Sequence, residues 1–475
     1  MVDFFPASLR RFNNHGQIIL ILIIAAVLRF YRFPEMVTFD FDQEYASNFA
    51  YSVIKEFPIQ MVGQGLSVQG LFMGPWYFYY LVPFFWLFNL SPIGGYVGSI
   101  VLGLITIWVY YAVIGKVFNR RIGLIAALIR AVSFSGIGID WAMTPALSSD
   151  LMVIITWYLF YRYWHNDTKR FWPLIALCFG LYSSFHPILF PFYGVFIILI
   201  LIKKRIPRPK QAIVSAFTLL LPLLPLIAFE YFRKLTEVKK LLSMFGGDGS
   251  SINLFDFNEW LNHLTIIATS YNFGFDNPTA SQSISIIITS LIVGLVIYLT
   301  LKKQSFFKSK FHLTIIILTP LVFLLYYHLL QTHVTEYYFN APVVILNLYL
   351  TVLLGILFNY KFGRIVVILL LLLFCLSNGR RLRLMWANTS KSTFYYKDAI
   401  IKEILKSQPS DKPFFVSYIK RPGWNFGFDY LFKYYQRLPF DKPIIGSIFT
   451  IVIPREMAPG NLTFTSGNIG LIIEK

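Results

Sequence analysis

Charge is scarce in this chain. Of its 475 residues only 14% are charged, with 23 Asp and Glu against 42 Lys and Arg, while 56% are hydrophobic. So few charges cannot cover a soluble protein of this length, which excludes an aqueous globular fold. Cysteine is scarcer: Cys178 and Cys375 both lie within apolar stretches, where a disulfide between distant helices would have to form inside lipid. A disulfide framework is therefore excluded. The seven histidines are dispersed and nothing approaches zinc spacing, so no cofactor is expected, with Asp40 and Asp42 the acids that could hold a divalent ion. There is no fixed-period repeat and no low-complexity tract. The net charge of +19 comes from basic residues scattered at the ends of apolar segments, a pattern of membrane topology and not of a nucleic-acid partner.

What the chain has in quantity is apolar length. Roughly 20 apolar residues rising 1.5 Å each cross about 30 Å of hydrocarbon. Crossing helices are expected near residues 15–33, 93–115, 122–139, 146–163, 171–185, 188–202, 211–232, 284–301, 312–330, 340–358 and 364–377. The first apolar run continues into Phe30-Tyr31-Arg32-Phe33 without a small-residue cleavage site, so it reads as a retained anchor. Basic residues fall in alternate gaps: Arg10 and Arg11; Lys116, Arg120 and Arg121; Lys169 and Arg170; Lys203 to Lys210; Lys302 to Lys310; Lys361 and Arg364. Those gaps are expected to be cytoplasmic, which makes the chain a multi-pass protein of the cell membrane with a cytoplasmic N-terminus. The aromatic run from Gly74 to Leu90 would reverse this order if it crossed, so it is expected to lie on the outer surface.

Three stretches then face outward: residues 34–92, 233–283 and the tail from 378. The middle one carries Gly246-Gly247-Asp248-Gly249-Ser250-Ser251, a loop tip. The tail alternates helical patterns (Tyr395 to Leu405, Phe428 to Tyr435) with strand patterns (Phe414 to Tyr418, Ile448 to Ile453, Ile469 to Ile473). The organisation expected is a membrane domain over 1–377, including the outer loop 34–92 with its surface helices, and a small extracytoplasmic α/β domain over 378–475.

Ionisable groups near hydrocarbon need a reason to persist, and they concentrate at the outer helix ends. Thr38-Phe39-Asp40-Phe41-Asp42-Gln43-Glu44-Tyr45 opens an amphipathic helix with three acids in five residues. Asp42 reads equally as the N-cap of that helix or as a base taking a proton from an attacking hydroxyl.

The loop from Phe39-Asp40-Phe41-Asp42-Gln43 through Gly63-Gln64 to Gly70-Leu71-Phe72-Met73-Gly74-Pro75-Trp76-Tyr77-Phe78-Tyr79-Tyr80 resembles bacterial family 39 glycosyltransferases, relatives of protein O-mannosyltransferases and lipid A aminoarabinose transferases. Further matches are Trp141 to Pro145, Phe185-His186-Pro187, Phe229-Glu230-Tyr231-Phe232-Arg233 and Glu336-Tyr337-Tyr338-Phe339. The resemblance implies the C-type glycosyltransferase fold, a polyprenyl-phosphate sugar donor, and an acceptor protein, lipid or glycan. It puts Asp42 at the position of the family's first-loop acid, with Asp40 or Glu44 assisting. It nominates His186, Arg233, His333 and Tyr338 to hold the donor phosphate. Two departures stand out. Met73 occupies a place where relatives often have Lys or His, and Thr144 stands where many have a second acid, leaving Asp140 as the candidate for that role with Asp150 a turn inside the next helix.

The reaction implied is an inverting transfer, one displacement with one base and a phosphate leaving group. The alternatives are a transporter or lipid flippase, whose site would lie at the bilayer midplane, and a non-catalytic envelope scaffold. No internal symmetry favours the transporter.

Overall fold

The computed structural model describes residues 7–57, 59–66, 68–165, 168–245, 261–265, 267, 278–330, 336–389, 391–409, 412–442 and 447–474. The expected loop tip at 246–251 and His333 lie outside these residues.

Helices appear where apolar runs and capping residues predict them. In chain order they are α1 (Ala7–Phe30), α2 (Phe41–Tyr51), α3 (Trp76–Leu87), α4 (Pro92–Val117), α5 (Arg120–Val132), α6 (Phe134–Trp141), α7 (Asp150–Trp164), α8 (Thr168–Phe185), α9 (Pro191–Lys203), α10 (Pro209–Phe232), α11 (Thr236–Phe245), α12 (Pro278–Leu301), α13 (Phe311–Leu330), α14 (Asn340–Leu357) and α15 (Lys361–Ala387). Six among the described residues are long and apolar enough to cross a membrane: α4, α10, α12, α13, α14 and α15. The pair α5 and α6 passes the same test together but is bent by 64°. Of the other expected crossings, the apolar stretches Gly16–Phe30 of α1, Phe171–Phe185 of α8 and Pro187–Lys203 containing α9 are shorter, and α7 has 15 residues. Helix α3 has 12 residues, so it spans only about 18 Å, too short to cross. Ile213, Phe217, Ile287 and Leu373 point out of the bundle, as they must if lipid is the solvent.

The expected helix over 122–139 is broken, and the break has a cause. Ser133 leaves the helix with ψ 124°, and its hydroxyl accepts from Gly136 N–H at 3.2 Å, capping a new helix. The amide of Phe134 is taken up by Asn378 Oδ1 at 2.7 Å. The guanidinium of Arg29 takes up the carbonyls of Ala131 (2.8 Å) and Arg130 (3.3 Å). Backbone groups freed at the break thus find partners on other helices, which lets the bend exist. Helix α15 also departs from expectation, running on past residue 378, where the outer domain was expected to begin.

The tail folds as α16 (Phe394–Ser407), β1 (Phe414–Lys420), α17 (Phe428–Tyr434), β2 (Ser447–Ile453), β3 (Phe464–Ser466) and β4 (Ile469–Glu474). Strand order is β1-β2-β4-β3, with β1 and β2 parallel around α17 and the remaining pairs antiparallel. Strand β3 is an addition to the expected set. Ile400, Ile404, Phe428 and Leu431 pack against Phe414, Phe449 and Leu471 in one core. That core also takes in Phe39, Phe49, Tyr77 and Phe78 from the outer loop, so loop and tail share their apolar interior. Each fully buried Phe contributes about 1.5–3 kcal/mol, and Phe39, in edge contact with Phe394 and Tyr430, lies at the junction.

Candidate active site

The three acids of the outer loop have separate surroundings. Asp40, not Asp42, is the N-cap of α2, and its N–H donates to Gln43 Oε1 at 3.0 Å. Its carboxylate pairs with Lys397 Nζ of α16 at 2.7 Å. Glu44 is buried, and its two oxygens accept from the backbone N–H groups of Gly427 (2.9 Å) and Tyr430 (2.8 Å) at the start of α17. Burial pushes its carboxyl up, and these donors pull it part of the way back. Asp40 and Glu44 therefore bind the outer loop to the tail, and neither lines the cavity. The cap expected of Asp42 belongs to its neighbour two residues earlier.

Asp42 sits in the first turn of α2, where the helix dipole favours a carboxylate, and it lines a cavity of about 200 Å³. Gln64 Nε2 donates to Asp42 Oδ1 at 2.5 Å. Gln64, Met73, Thr144, His186 and Tyr337 line the same space. The cavity therefore brings together Asp42 and His186 from distant parts of the chain. It takes Tyr337 in place of Tyr338, whose ring packs 5.2 Å from that of Tyr327. Both tyrosines meet His186 edge-on, at 6.1 and 6.3 Å between centroids. Met73, the departure from the family pattern, makes that part of the wall apolar.

Gln64 and Met73 are delivered by a short antiparallel turn, with Gly63 N–H donating to Met73 O at 2.7 Å and Met73 N–H to Gln64 O at 2.9 Å. Gly74 then donates to Ser183 O at the end of α8 (2.9 Å). A methyl group on Gly74 would lie 2.2 Å from Ser184 Oγ, so only glycine permits this approach. The tip of the turn rests on the corner between α10 and α11. There the Arg233 guanidinium lies over the rings of Phe72 (5.5 Å) and Phe229 (5.0 Å), outside the cavity wall. Arg233 thus supports the turn that carries Gln64.

The Phe72 N–H faces the Glu237 carboxyl, which burial and the neighbouring Glu230 carboxylate push up to about 7. A carboxyl raised in the folded state favours folding at low pH, and that contribution is lost as pH rises through about 7. The protein should melt at a higher temperature at pH 6 than at pH 8, and Glu237→Gln should flatten the difference. An unchanged pH slope in that variant would assign the effect elsewhere.

His186 follows α8 in an extended conformation, and its Nδ1 accepts from Ile188 N–H at 3.2 Å. An accepting Nδ1 is unprotonated, so Nε2 carries the hydrogen. Burial pushes the imidazole down to about 4, keeping it neutral. His186 is therefore a neutral N–H donor. Asp140 is removed from the cavity. Its buried carboxylate receives Arg29 Nε at 2.6 Å and Arg130 Nη2 at 2.7 Å, so it is held in ion pairs away from the cavity. No group of three or more metal-ligating side chains occurs among the described residues.

A polytopic helical chain with an acid-bearing outer loop and a cavity at the helix ends is the architecture of the C-type membrane glycosyltransferases. Residues 73–229 match the dolichyl-phosphate-mannose-protein mannosyltransferase family. ArnT from Cupriavidus metallidurans bound to undecaprenyl phosphate is similar in fold, with a TM-score of 0.57 at 10% identity over 97% of this chain and 98% of that one. Its apo state gives 0.59 at 8% identity. The oligosaccharyltransferase of Archaeoglobus fulgidus in the apo form gives 0.51 at 14% identity, covering 92% of this chain and 65% of that one. By sequence, no curated protein matches the chain. The fold is that of the C-type membrane glycosyltransferases, and the family match over residues 73–229 overlaps the motifs that carry the resemblance.

Proposed function

We propose that the protein transfers a sugar from a polyprenyl-phosphate donor to an acceptor hydroxyl at the outer face of the cell membrane, with inversion at the sugar carbon. Asp42 takes the proton of the acceptor hydroxyl as its oxygen attacks the anomeric carbon. The bond from that carbon to the phosphate oxygen breaks, and its electron pair leaves with the lipid phosphate. His186 Nε2–H and the Tyr337 hydroxyl donate to that phosphate as charge builds on it. The observation that carries the reading is the single cavity lined by both Asp42 and His186. The basic residues of the alternate gaps support the outward orientation. The undecaprenyl phosphate held by ArnT, a protein of the same fold, supports a lipid-phosphate donor.

Purified protein in lipid nanodiscs, given a panel of radiolabelled polyprenyl-phosphate sugars and membrane extract, should move label from lipid to an acceptor fraction. Binding of donor without transfer in any extract would overturn the reading. Within this scheme His186 acts through one N–H. His186→Gln, which retains a donor of similar reach, should stay within a few-fold of the wild type, while His186→Ala should weaken donor binding about 10- to 100-fold. Between pH 5 and 8 the rate profile should show no limb that His186→Gln removes.

A further inference from the structure

The cavity wall from Thr144 to Leu147 lies in the connection between α6 and α7. It is not relaxed chain: Met143, fully buried, holds φ at 48°, a region that a bulky L-residue enters only when its surroundings impose it. One side chain secures both ends of this connection. Arg130 of α5 donates from Nη2 to Asp140 Oδ1 at 2.7 Å and from Nη1 to Oδ2 at 3.1 Å, while its Nε reaches Asp150 Oδ2 at 2.8 Å. Asp140 lies in the last turn of α6 and Asp150 opens α7, so the guanidinium bridges the strained stretch. Arg29 balances the second carboxylate, making the buried group neutral overall. The wall is tied in turn to the helix bearing Asp42, since Gln43 Nε2 donates to Ala142 O.

We infer that Arg130 is a positioning residue for sugar transfer: by clamping both ends of the 142–149 connection it holds the cavity wall at a set distance from Asp42. The inference rests on the cavity being the transfer site, but the state of the wall can be read without any transfer. A planar fork matches two carboxylates at once and an ammonium does not, so Arg130→Lys keeps the charge and loses the clamp. The double variant Arg130→Met with Asp150→Asn removes one charge of each sign and leaves Asp140 with Arg29.

The test places Ala146→Cys in the wall of protein whose Cys178 and Cys375 are replaced by Ala, and follows its labelling by a small maleimide in nanodiscs. In Arg130→Lys, and in the double variant where it folds, labelling should accelerate about 10-fold or more at temperatures well below cooperative melting. The kcat for transfer should fall about 100-fold, with a smaller change in donor KM. Unchanged labelling and kcat in folded Arg130→Lys overturns the inference. Faster labelling, with no transfer by any form including the wild type, upholds the clamp and instead refutes the assignment of the cavity to sugar transfer.

Discussion

Asp42→Asn protein should bind donor lipid as the wild type does and transfer sugar roughly 100- to 10,000-fold more slowly, the range that loss of a general base produces. The substitution is close to isosteric, and the Asn carbonyl still accepts from Gln64 Nε2, which meets Asp42 Oδ1 at 2.5 Å. The half-buried position in the first turn of α2 tolerates a neutral side chain. Folding and donor binding should thus survive while the proton acceptor is gone. The adjacent acids sharpen the test. Asp40→Asn keeps an oxygen for Lys397, whose Nζ meets Asp40 Oδ1 at 2.7 Å, and should keep most of the activity. Equal losses in Asp40→Asn and Asp42→Asn would mean that the loop is being disturbed as a whole, and Asp42 would lose its place in the mechanism.

Much of the membrane architecture was readable because its cause is local. An apolar run of sufficient length has few other structures open to it, and α4, α7 to α10, α13 and α14 begin and end within a few residues of the apolar limits. The break at Ser133 was not readable, since the composition stays apolar across it. It depends on Arg29 and Asn378 arriving from other helices to satisfy the freed groups. Two arginines within apolar runs, Arg29 and Arg130, were the signal that could have found the buried group, because an intramembrane charge requires a partner.

The site was legible as a region and not as a set of roles. Asp42 and His186 were named from the sequence, and they share a cavity. Which acid caps α2 was decided by Lys397, far along the chain, and by Gln43, so spacing alone left the roles of Asp40 and Asp42 undivided. The choice of Tyr337 over Tyr338 turns on how one short helical turn faces its neighbours, to which adjacent identical residues give no clue. His186 was named from the resemblance to hold the donor phosphate, with no charge state attached. Its environment makes it neutral, and the signal for that is the Ile188 N–H, invisible before the turn is built. Gln64 was part of the recognised loop, yet only the turn from Gly63 to Gly74 brings it against Asp42.

Lys397→Met should loosen the tail from the outer loop, with a loss of about 1–3 kcal/mol from stranding the buried carbonyl of Phe39 and a smaller loss from the part-buried carbonyl of Phe426. The ammonium is 1% exposed and donates to Phe39 O at 2.7 Å, Asp40 Oδ1 at 2.7 Å and Phe426 O at 2.8 Å. Methionine retains the packing of the stem but none of these bonds. Asp40, with its side chain 54% exposed, can turn to water; the carbonyls of Phe39 and Phe426 lose a donor that nothing replaces. Because Phe39 immediately precedes the cap of α2, the disturbance reaches the helix that carries Asp42. Limited proteolysis should therefore cut between α15 and α16 much faster in the variant, and transfer should fall together with that protection. Glu44→Gln should act in the same direction and more weakly, since one oxygen remains for Gly427 or Tyr430 but not for both. If Lys397→Met resisted the protease and kept full activity, the tail would have no part in holding Asp42. If it were cut quickly and still transferred sugar at the wild-type rate, α2 would owe its placement to Gln43 and Ala142 alone.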